Sequence, residues 1–307
     1  MEVYNKLVKL NVPTVTCIGK FDGIHKGHRL LINEAKKFAK AYKTDAGCEA
    51  PKVLVFTFRV MESDKKKNIY TEEEKLYLLE ELGVDIVISL EFNAELKSIK
   101  AEDFVEQILI NKLNIKGLFV GEDFRFGFNR NGNIELLQFL SEPNDYYFKA
   151  IKKLSENGEI ISSTRVREAL TENALEEGNA MLGDNFFVMG KVVRGKQLGR
   201  TIGFPTANIK VAQEKIMPFY GAYLTEVIVK DRKYYGISNY GMRPTVDGDN
   251  PNLETFIDNF DENIYGEKII VKFLKFLRTE KKFGNVDELR AQLEEDKKSI
   301  YNMHKKN

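Results

Sequence analysis

Two short stretches of the chain gather residue types that handle phosphate. The first is Gly19-Lys20-Phe21-Asp22-Gly23-Ile24-His25-Lys26-Gly27-His28. Its glycines admit backbone N–H groups to a ligand that a Cβ would hold away. An i, i+3 histidine pair is also half of a zinc site. The chain has three histidines in all, the third being His304, and no cysteine pair completes a tetrahedral set, so zinc is not expected. The second stretch is Lys191–Ile209, with Gly190 before it, glycines at 195, 199 and 203, the cations Lys196 and Arg200, and a closing Pro205-Thr206-Ala207-Asn208. Thr206 and Asn208 offer oxygen ligands suited to a hard cation such as Mg²⁺. Taken with the glycines, they suggest a loop that grips a nucleotide phosphate and its metal. The glycines alone would equally suit a hairpin turn.

Three further groups have plain structural readings beside functional ones. Ser162, Ser163 and Thr164, followed by Arg165 and Arg167, make a good helix N-cap. Gly121–Gly127, with Asp123, Phe124, Arg125 and Phe126, reads on its own as a hairpin edge carrying an aromatic pair. Glu254, on spacing alone, is an ordinary strand carboxylate.

The elements that must position these residues fall into two groups. From the N-terminus, apolar strand patterns at Val12–Ile18, Lys52–Phe58, Ile86–Leu90, Gly117–Gly121 and Tyr146–Ile151 alternate with helical patterns at His28–Ala41, Thr71–Leu82, Ala101–Leu113 and Asn133–Leu140. Thr71 with Glu74 three residues on is a capping box. This alternation predicts a parallel, doubly wound sheet with ligands at the carboxyl ends of its strands. The Gly19–His28 stretch then occupies the first βα turn, where a helix N-terminus favours phosphate. After a linking helix, Leu175–Leu182, come short strands at Phe186–Val193, Gly221–Val229, Lys233–Ser238, Asn252–Asp258 and Ile269–Leu277, then a helix at Val286–Tyr301. That spacing predicts a small antiparallel barrel with a terminal helix. The predicted domains are 1–183 and 184–307.

Composition bounds the function classes. A chain of 307 residues suits two domains, each with its own core. The 47 basic and 46 acidic residues almost cancel, so no strong field favours nucleic acid or an anionic membrane. No apolar run approaches the roughly 20 residues that span a bilayer, and Met1–Leu10 lacks the apolar segment of a signal peptide. With two cysteines, Cys17 in an apolar strand pattern and Cys48 elsewhere, a reducing cytoplasm is the expected compartment. No obligate protein partner is evident.

The two phosphate stretches together resemble the bacterial bifunctional riboflavin kinase/FMN adenylyltransferase (FAD synthetase) family across nearly all of the chain. Gly19–His28 resembles the G-x-F-D-G-x-H-x-G-H form of the nucleotidyltransferase signature, and Gly190–Asn208 the riboflavin kinase signature ending in P-T-A-N. The resemblance implies two reactions: phosphorylation of riboflavin by ATP to FMN, then adenylylation of FMN to FAD with release of pyrophosphate. It implies that Gly19, Phe21, Asp22, Gly23, Gly27, Ser162, Ser163, Thr164 and Arg165 bind ATP or its phosphates, with His25, His28 and Arg167 catalytic. In the kinase half it implies that Gly190, Gly195, Lys196, Gly199, Arg200 and Gly203 hold ATP, that Thr206 and Asn208 hold Mg²⁺, and that Glu254 is the catalytic base. It implies flavin contacts at Asp123, Phe124, Arg125 and Phe126, and at Arg278, Glu280 and Phe283.

The sequence departs from the pattern at two places. Where the family has T-F-x-P-H-P, this chain reads Thr57-Phe58-Arg59-Val60-Met61-Glu62, and Phe256 stands where a histidine is common two residues after the glutamate. The first departure motivates an alternative, a riboflavin kinase whose front domain has lost adenylyl transfer. A third reading is a flavin carrier without turnover; Glu254, Thr206 and Asn208 argue against it, since binding alone needs no base.

Overall fold

β-Branched and aromatic runs in the first half pair into one six-stranded sheet. In the computed structural model, which describes residues 1–42, 49–59, 67–195, 199, 202–243 and 250–304, the chain divides into two units, Met1–Ser163 and Thr164–Asn307. The first unit holds β1 (Glu2–Tyr4), β2 (Thr14–Ile18), β3 (Lys52–Arg59), β4 (Ile86–Glu91), β5 (Ile115–Gly121) and β6 (Tyr147–Ile151), all parallel, in the order β1-β4-β3-β2-β5-β6. From β2 the chain winds outward through β3 to β4, and from β5 it winds the other way to β6. The order reverses between β2 and β5, so the loops leaving their carboxyl ends part there and open a crevice.

Both faces of this sheet are covered, as near-continuous apolar strands require. Helix α1 (Lys26–Ala41) lays Leu31, Ile32, Ala35 and Ala39 on one face, and its Phe38 ring meets Phe119 and Tyr147 at centroid distances of 5.8 and 4.6 Å. Cys17 is buried here, with Sγ 3.8 Å from the Leu31 carbonyl. Burial pushes its thiol well up, so it behaves as a small apolar side chain. Helix α2 (Glu72–Glu81) opens on the expected capping box: Thr71 Oγ1 accepts from the Glu74 N–H at 3.2 Å, and the Glu74 carboxylate accepts from the Thr71 N–H at 2.8 Å.

On the opposite face, Ile18, Leu54, Phe56, Leu118 and Val120 pack against Phe104, Val105, Ile108 and Leu137. These side chains come from the region after the short helix α3 (Ala94–Ser98) and from α5 (Ile134–Ser141). The single helix expected over 101–113 is instead a short α4 (Ala101–Asp103) that widens into a π-helical segment, Phe104–Ile110. A two-residue hairpin, β7 (Ser155–Glu156) and β8 (Glu159–Ile160), turns on Asn157 and Gly158, both at positive φ, as its right-handed twist demands.

Helix α6 (Ser163–Thr171) begins at the last residue of the first unit, and α7 (Leu175–Leu182) lies in the second. A closed antiparallel barrel follows: β9 (Phe187–Val193), β10 (Thr206–Lys210), β11 (Gly221–Val229), β12 (Arg232–Arg243), β13 (Asn250–Ile257) and β14 (Lys268–Arg278), in the order β10-β13-β12-β11-β14-β9, with β9 pairing back to β10. Strand alternation sends Ile209, Leu253, Val227, Val271 and Phe273 into the core. Three hydroxyls share that interior and satisfy one another: Thr225 to Ser238 at 3.0 Å and Ser238 to Thr255 at 2.8 Å. Helix α8 (Val286–His304) seats its buried Ile300 on Leu224 and Ile237, which face each other across β11 and β12 on the outside of the barrel.

Candidate active sites

In the first unit the turn after β2 is held on all sides. The Gly19 N–H donates to the Phe56 carbonyl at 3.2 Å, and Thr57 Oγ1 donates to the Lys20 carbonyl at 3.1 Å. Asp22 accepts from the Ile69 N–H at 3.0 Å, and Ser163 Oγ donates to the Asp22 carbonyl at 2.7 Å. Inside this frame Phe21 and Ile24, both fully buried, take φ values of +49° and +42°. Non-glycine residues in that region cost about 1–3 kcal/mol each, and such strain concentrates at functional sites.

The turn presents two imidazoles. His25 is the N-cap residue of α1 but makes no side-chain cap. Its ring stacks on His28, with centroids 3.9 Å apart and planes 25° apart, and Phe21 supports His28 at 5.1 Å. Gly27 permits the stack, because a Cβ there would lie 3.2 Å from the His25 ring. Both Nδ1 atoms are buried without a hydrogen-bond partner. Burial lowers the His25 pKa to about 4, and burial plus the neighbouring His25 holds His28 well below the ordinary imidazole range. Near neutral pH both rings are therefore uncharged. Phe21 and Asp22 serve as supports of the turn, one under an imidazole and the other bound to a backbone N–H.

Across the switch point, the loop after β5 carries the aromatic element. Phe124 stacks on Phe126 at 5.6 Å and 12°, and Phe126 packs on Phe104 at 5.6 Å. Gly132 exchanges two backbone hydrogen bonds with Phe126, at 3.1 and 2.9 Å, which closes the loop. Asp123 is exposed and ion-paired with Lys153 at 2.8 Å, and Arg125 is exposed. Arg59, next to the departure from P-H-P, donates through Nε to the Ser89 carbonyl at 3.3 Å; Val60, Met61 and Glu62 lie outside the described residues. On α6, Thr164 is exposed, Arg165 pairs with Glu177 at 2.8 Å, and burial lowers the Arg167 pKa.

The barrel brings together residues that are far apart in the chain. Thr206-Ala207-Asn208, expected at the end of a loop, forms the start of β10 and pairs with β13 so that Asn208 stands directly opposite Glu254. Since Leu253 and Thr255 point into the barrel, Asn252, Glu254, Thr206 and Asn208 lie on its outer face. Asn252 Nδ2 donates to Asn208 Oδ1 at 2.9 Å and reaches Glu254 Oε1 at 3.4 Å, while Asn208 Nδ2 is 3.4 Å from the Thr206 carbonyl. Asn208 is 4 % exposed. Gly195 lies over its amide, where a Cβ would come within 2.6 Å of Nδ2. Asn252 was not singled out in the sequence; the strand spacing Asn252-x-Glu254, which puts both on one face, was the available signal.

Other expected residues have different surroundings. Gly190 lies within β9, where a Cβ would come 2.6 Å from Ile209, so barrel packing accounts for its lack of a side chain. Gly199 accepts from the Phe204 N–H at 2.8 Å in the turn that precedes β10, and Gly203 sits at φ +85° in the same turn. Lys196 and Arg200 lie outside the described residues. Arg278 makes a forked pair with the buried Asp296 of α8, Nε–Oδ1 at 3.1 Å and Nη2–Oδ2 at 2.8 Å. Glu280 lies against Gly241, and the Phe283 ring has Arg278 at 6.0 Å and Lys281 at 5.7 Å. Beside Thr206 opens a cavity of about 400 Å³, walled by Pro205, Ala207, Ile257, Asn263 and Tyr265. The Arg194 guanidinium stands 5.7 Å over the Tyr265 ring.

These features define a class: an α/β unit with nucleotidyltransferase signatures at its topological switch point, followed by a six-stranded barrel with a carboxylate and an amide facing each other across two strands. Comparison with known proteins gives the particular family. The FAD synthetase family model matches residues 8–165 and the riboflavin kinase model residues 182–304. Bifunctional riboflavin kinase/FMN adenylyltransferases of Haemophilus influenzae and Escherichia coli K12 are each 36% identical to this chain, over 91% and 92% of it and 90% of their own lengths. That of Bacillus subtilis is 33% identical over 92% of this chain and 90% of its own. The chain belongs to the bifunctional riboflavin kinase/FMN adenylyltransferase family. A crystal structure from Streptococcus pneumoniae, described as a macrolide-efflux protein, superposes with a TM-score of 0.85 at 29% identity, covering 98% of this chain and 99% of that one. Among the described residues no helix is long and apolar enough to cross a membrane.

Proposed function

We propose that the barrel transfers the γ-phosphoryl group of ATP to riboflavin, and that the α/β unit then joins the resulting FMN to the adenylyl group of ATP, giving FAD and pyrophosphate. The observation that carries this reading is the β10–β13 register, which sets Asn208 opposite Glu254. A neutral amide oxygen next to a carboxylate on one strand pair suits a metal-assisted attack by an alcohol.

At the barrel, Glu254 takes the proton from the riboflavin 5′-hydroxyl as its oxygen bonds to the γ-phosphorus and the bond to ADP breaks. Thr206 Oγ1 and Asn208 Oδ1 are hard oxygen donors, and we assign them to Mg²⁺. When bound, Mg²⁺ offsets charge on the phosphates. The glycine loop at 195–203 positions the phosphates, and the cavity beside Thr206 takes the rest of the nucleotide. Glu280 and Phe283 are assigned to the flavin.

The front reaction differs. Its nucleophile is the FMN phosphate, already largely ionised near neutrality with a second pKa of about 6, so no base is needed. Neutral His25 and His28 donate N–H groups to the α-phosphate as charge builds there. The sequence resemblance further assigns Ser162, Ser163, Thr164 and Arg165 to the triphosphate, Arg167 to catalysis beside the histidines, and Asp123–Phe126 to the flavin.

A reciprocal pair of variants tests the division of labour. Glu254→Gln should lower riboflavin phosphorylation by about 10²–10⁴-fold, the usual worth of a positioned base, while FAD formation from supplied FMN stays within about twofold. His28→Ala should do the reverse. Equal loss of both reactions in either variant would overturn the assignment.

A further inference from the structure

Asn252 occupies a place that the proposed chemistry does not yet use. Its amide touches both members of the Asn208–Glu254 pair, at 2.9 and 3.4 Å. The orientation of all three side chains follows from donor and acceptor chemistry. A carboxylate at neutral pH only accepts, so Asn252 turns its nitrogen towards Glu254. That same nitrogen faces Asn208, which must therefore present its oxygen. The Asn208 nitrogen is left pointing at the Thr206 carbonyl, 3.4 Å away. The shorter of the two contacts that set the Asn208 amide is therefore the one from Asn252. Without it, the longer contact to the Thr206 carbonyl is left to oppose a flip that offers an N–H, which repels a cation.

Backbone pairing does not require this side chain. Asn252 is held in the sheet by main-chain register to Lys210 on β10 and to Gly241 on β12. Its outward amide is available for another task. We propose that Asn252 is a positioning residue for the kinase reaction, fixing the Asn208 oxygen towards the metal and the Glu254 carboxylate towards the hydroxyl. The inference rests on the kinase reading above. It predicts something that reading does not: a residue assigned to neither phosphate nor flavin sets both metal affinity and turnover.

Two variants separate positioning from packing. Asn252→Ala removes the amide, whereas Asn252→Leu keeps its shape with no polar atom. Both full-length proteins should lose roughly 10–100-fold in kcat for riboflavin phosphorylation, the usual cost of removing a group that orients a ligand, with KM for riboflavin little changed. Binding of Mn²⁺ in the presence of ADP, followed by electron paramagnetic resonance, should weaken to a similar degree; this readout needs no turnover. FAD formation from FMN serves as an internal control and should stay unchanged.

If Leu restores the activity that Ala loses, Asn252 is only packing and the proposal fails. It also fails if both variants bind Mn²⁺·ADP and turn over within twofold of the parent. If the unmutated protein binds Mn²⁺·ADP in an Asn252-dependent way but phosphorylates no riboflavin, the positioning role stands and the kinase reading falls.

Discussion

The stacked imidazoles after β2 owe their chemistry to burial more than to identity. With pKa lowered to about 4 by desolvation, His25 stays neutral in the folded chain through a range where it would charge in the unfolded chain. The unfolded state then binds more protons below its pKa of about 6.5, so stability falls as pH drops from there towards 4. His28 contributes in the same direction. Replacing His25 with Asn should flatten the dependence of melting temperature on pH across that window, and an unchanged slope would show that the imidazole is solvated. None of this was legible in H-x-G-H. The motif located the pair, but its protonation depends on Phe21 and on the depth of the turn. Glu254 gave even less locally, since its partner Asn208 lies on a separate strand and the pairing appears only in the barrel register.

Elements with strong local signals formed as expected. The Thr71–Glu74 box starts α2, and the alternation of strand and helix gives the parallel sheet. β10 did not read as a strand because Pro205 and Asn208 are turn-forming types; pairing to β9 and β13 overrides that preference. The π-helical stretch 104–110 has no sequence mark that we can identify. Arg278 stands in the expected flavin segment, and its fork is engaged with Asp296, tying α8 to β14. Arg278→Ala would leave a buried carboxylate without its partner and should cost about 3–5 kcal/mol in urea unfolding of the second unit. Replacing both residues with apolar ones of similar size should recover most of that loss. A large rise in KM for riboflavin with no loss of stability would instead favour direct flavin contact.

At the scale of the whole chain, two folds with separate requirements are joined in one polypeptide. In the proposed division, one presents neutral donors to a nucleophile that is already ionised, and the other places a carboxylate where an alcohol must lose its proton. The two signatures were visible in the sequence, and the structure places one at the strand-order reversal of the first unit and the other in the β10–β13 register of the second. The central claim is that both reactions occur on this one chain. Incubating the purified protein with riboflavin, ATP and Mg²⁺, with a parallel sample started from FMN, and separating the flavins by chromatography tests it directly. FMN followed by FAD in the first sample, and FAD in the second, is the expected result. FMN that accumulates in the first sample while neither yields FAD, even under reducing conditions, would contradict it and leave a kinase alone.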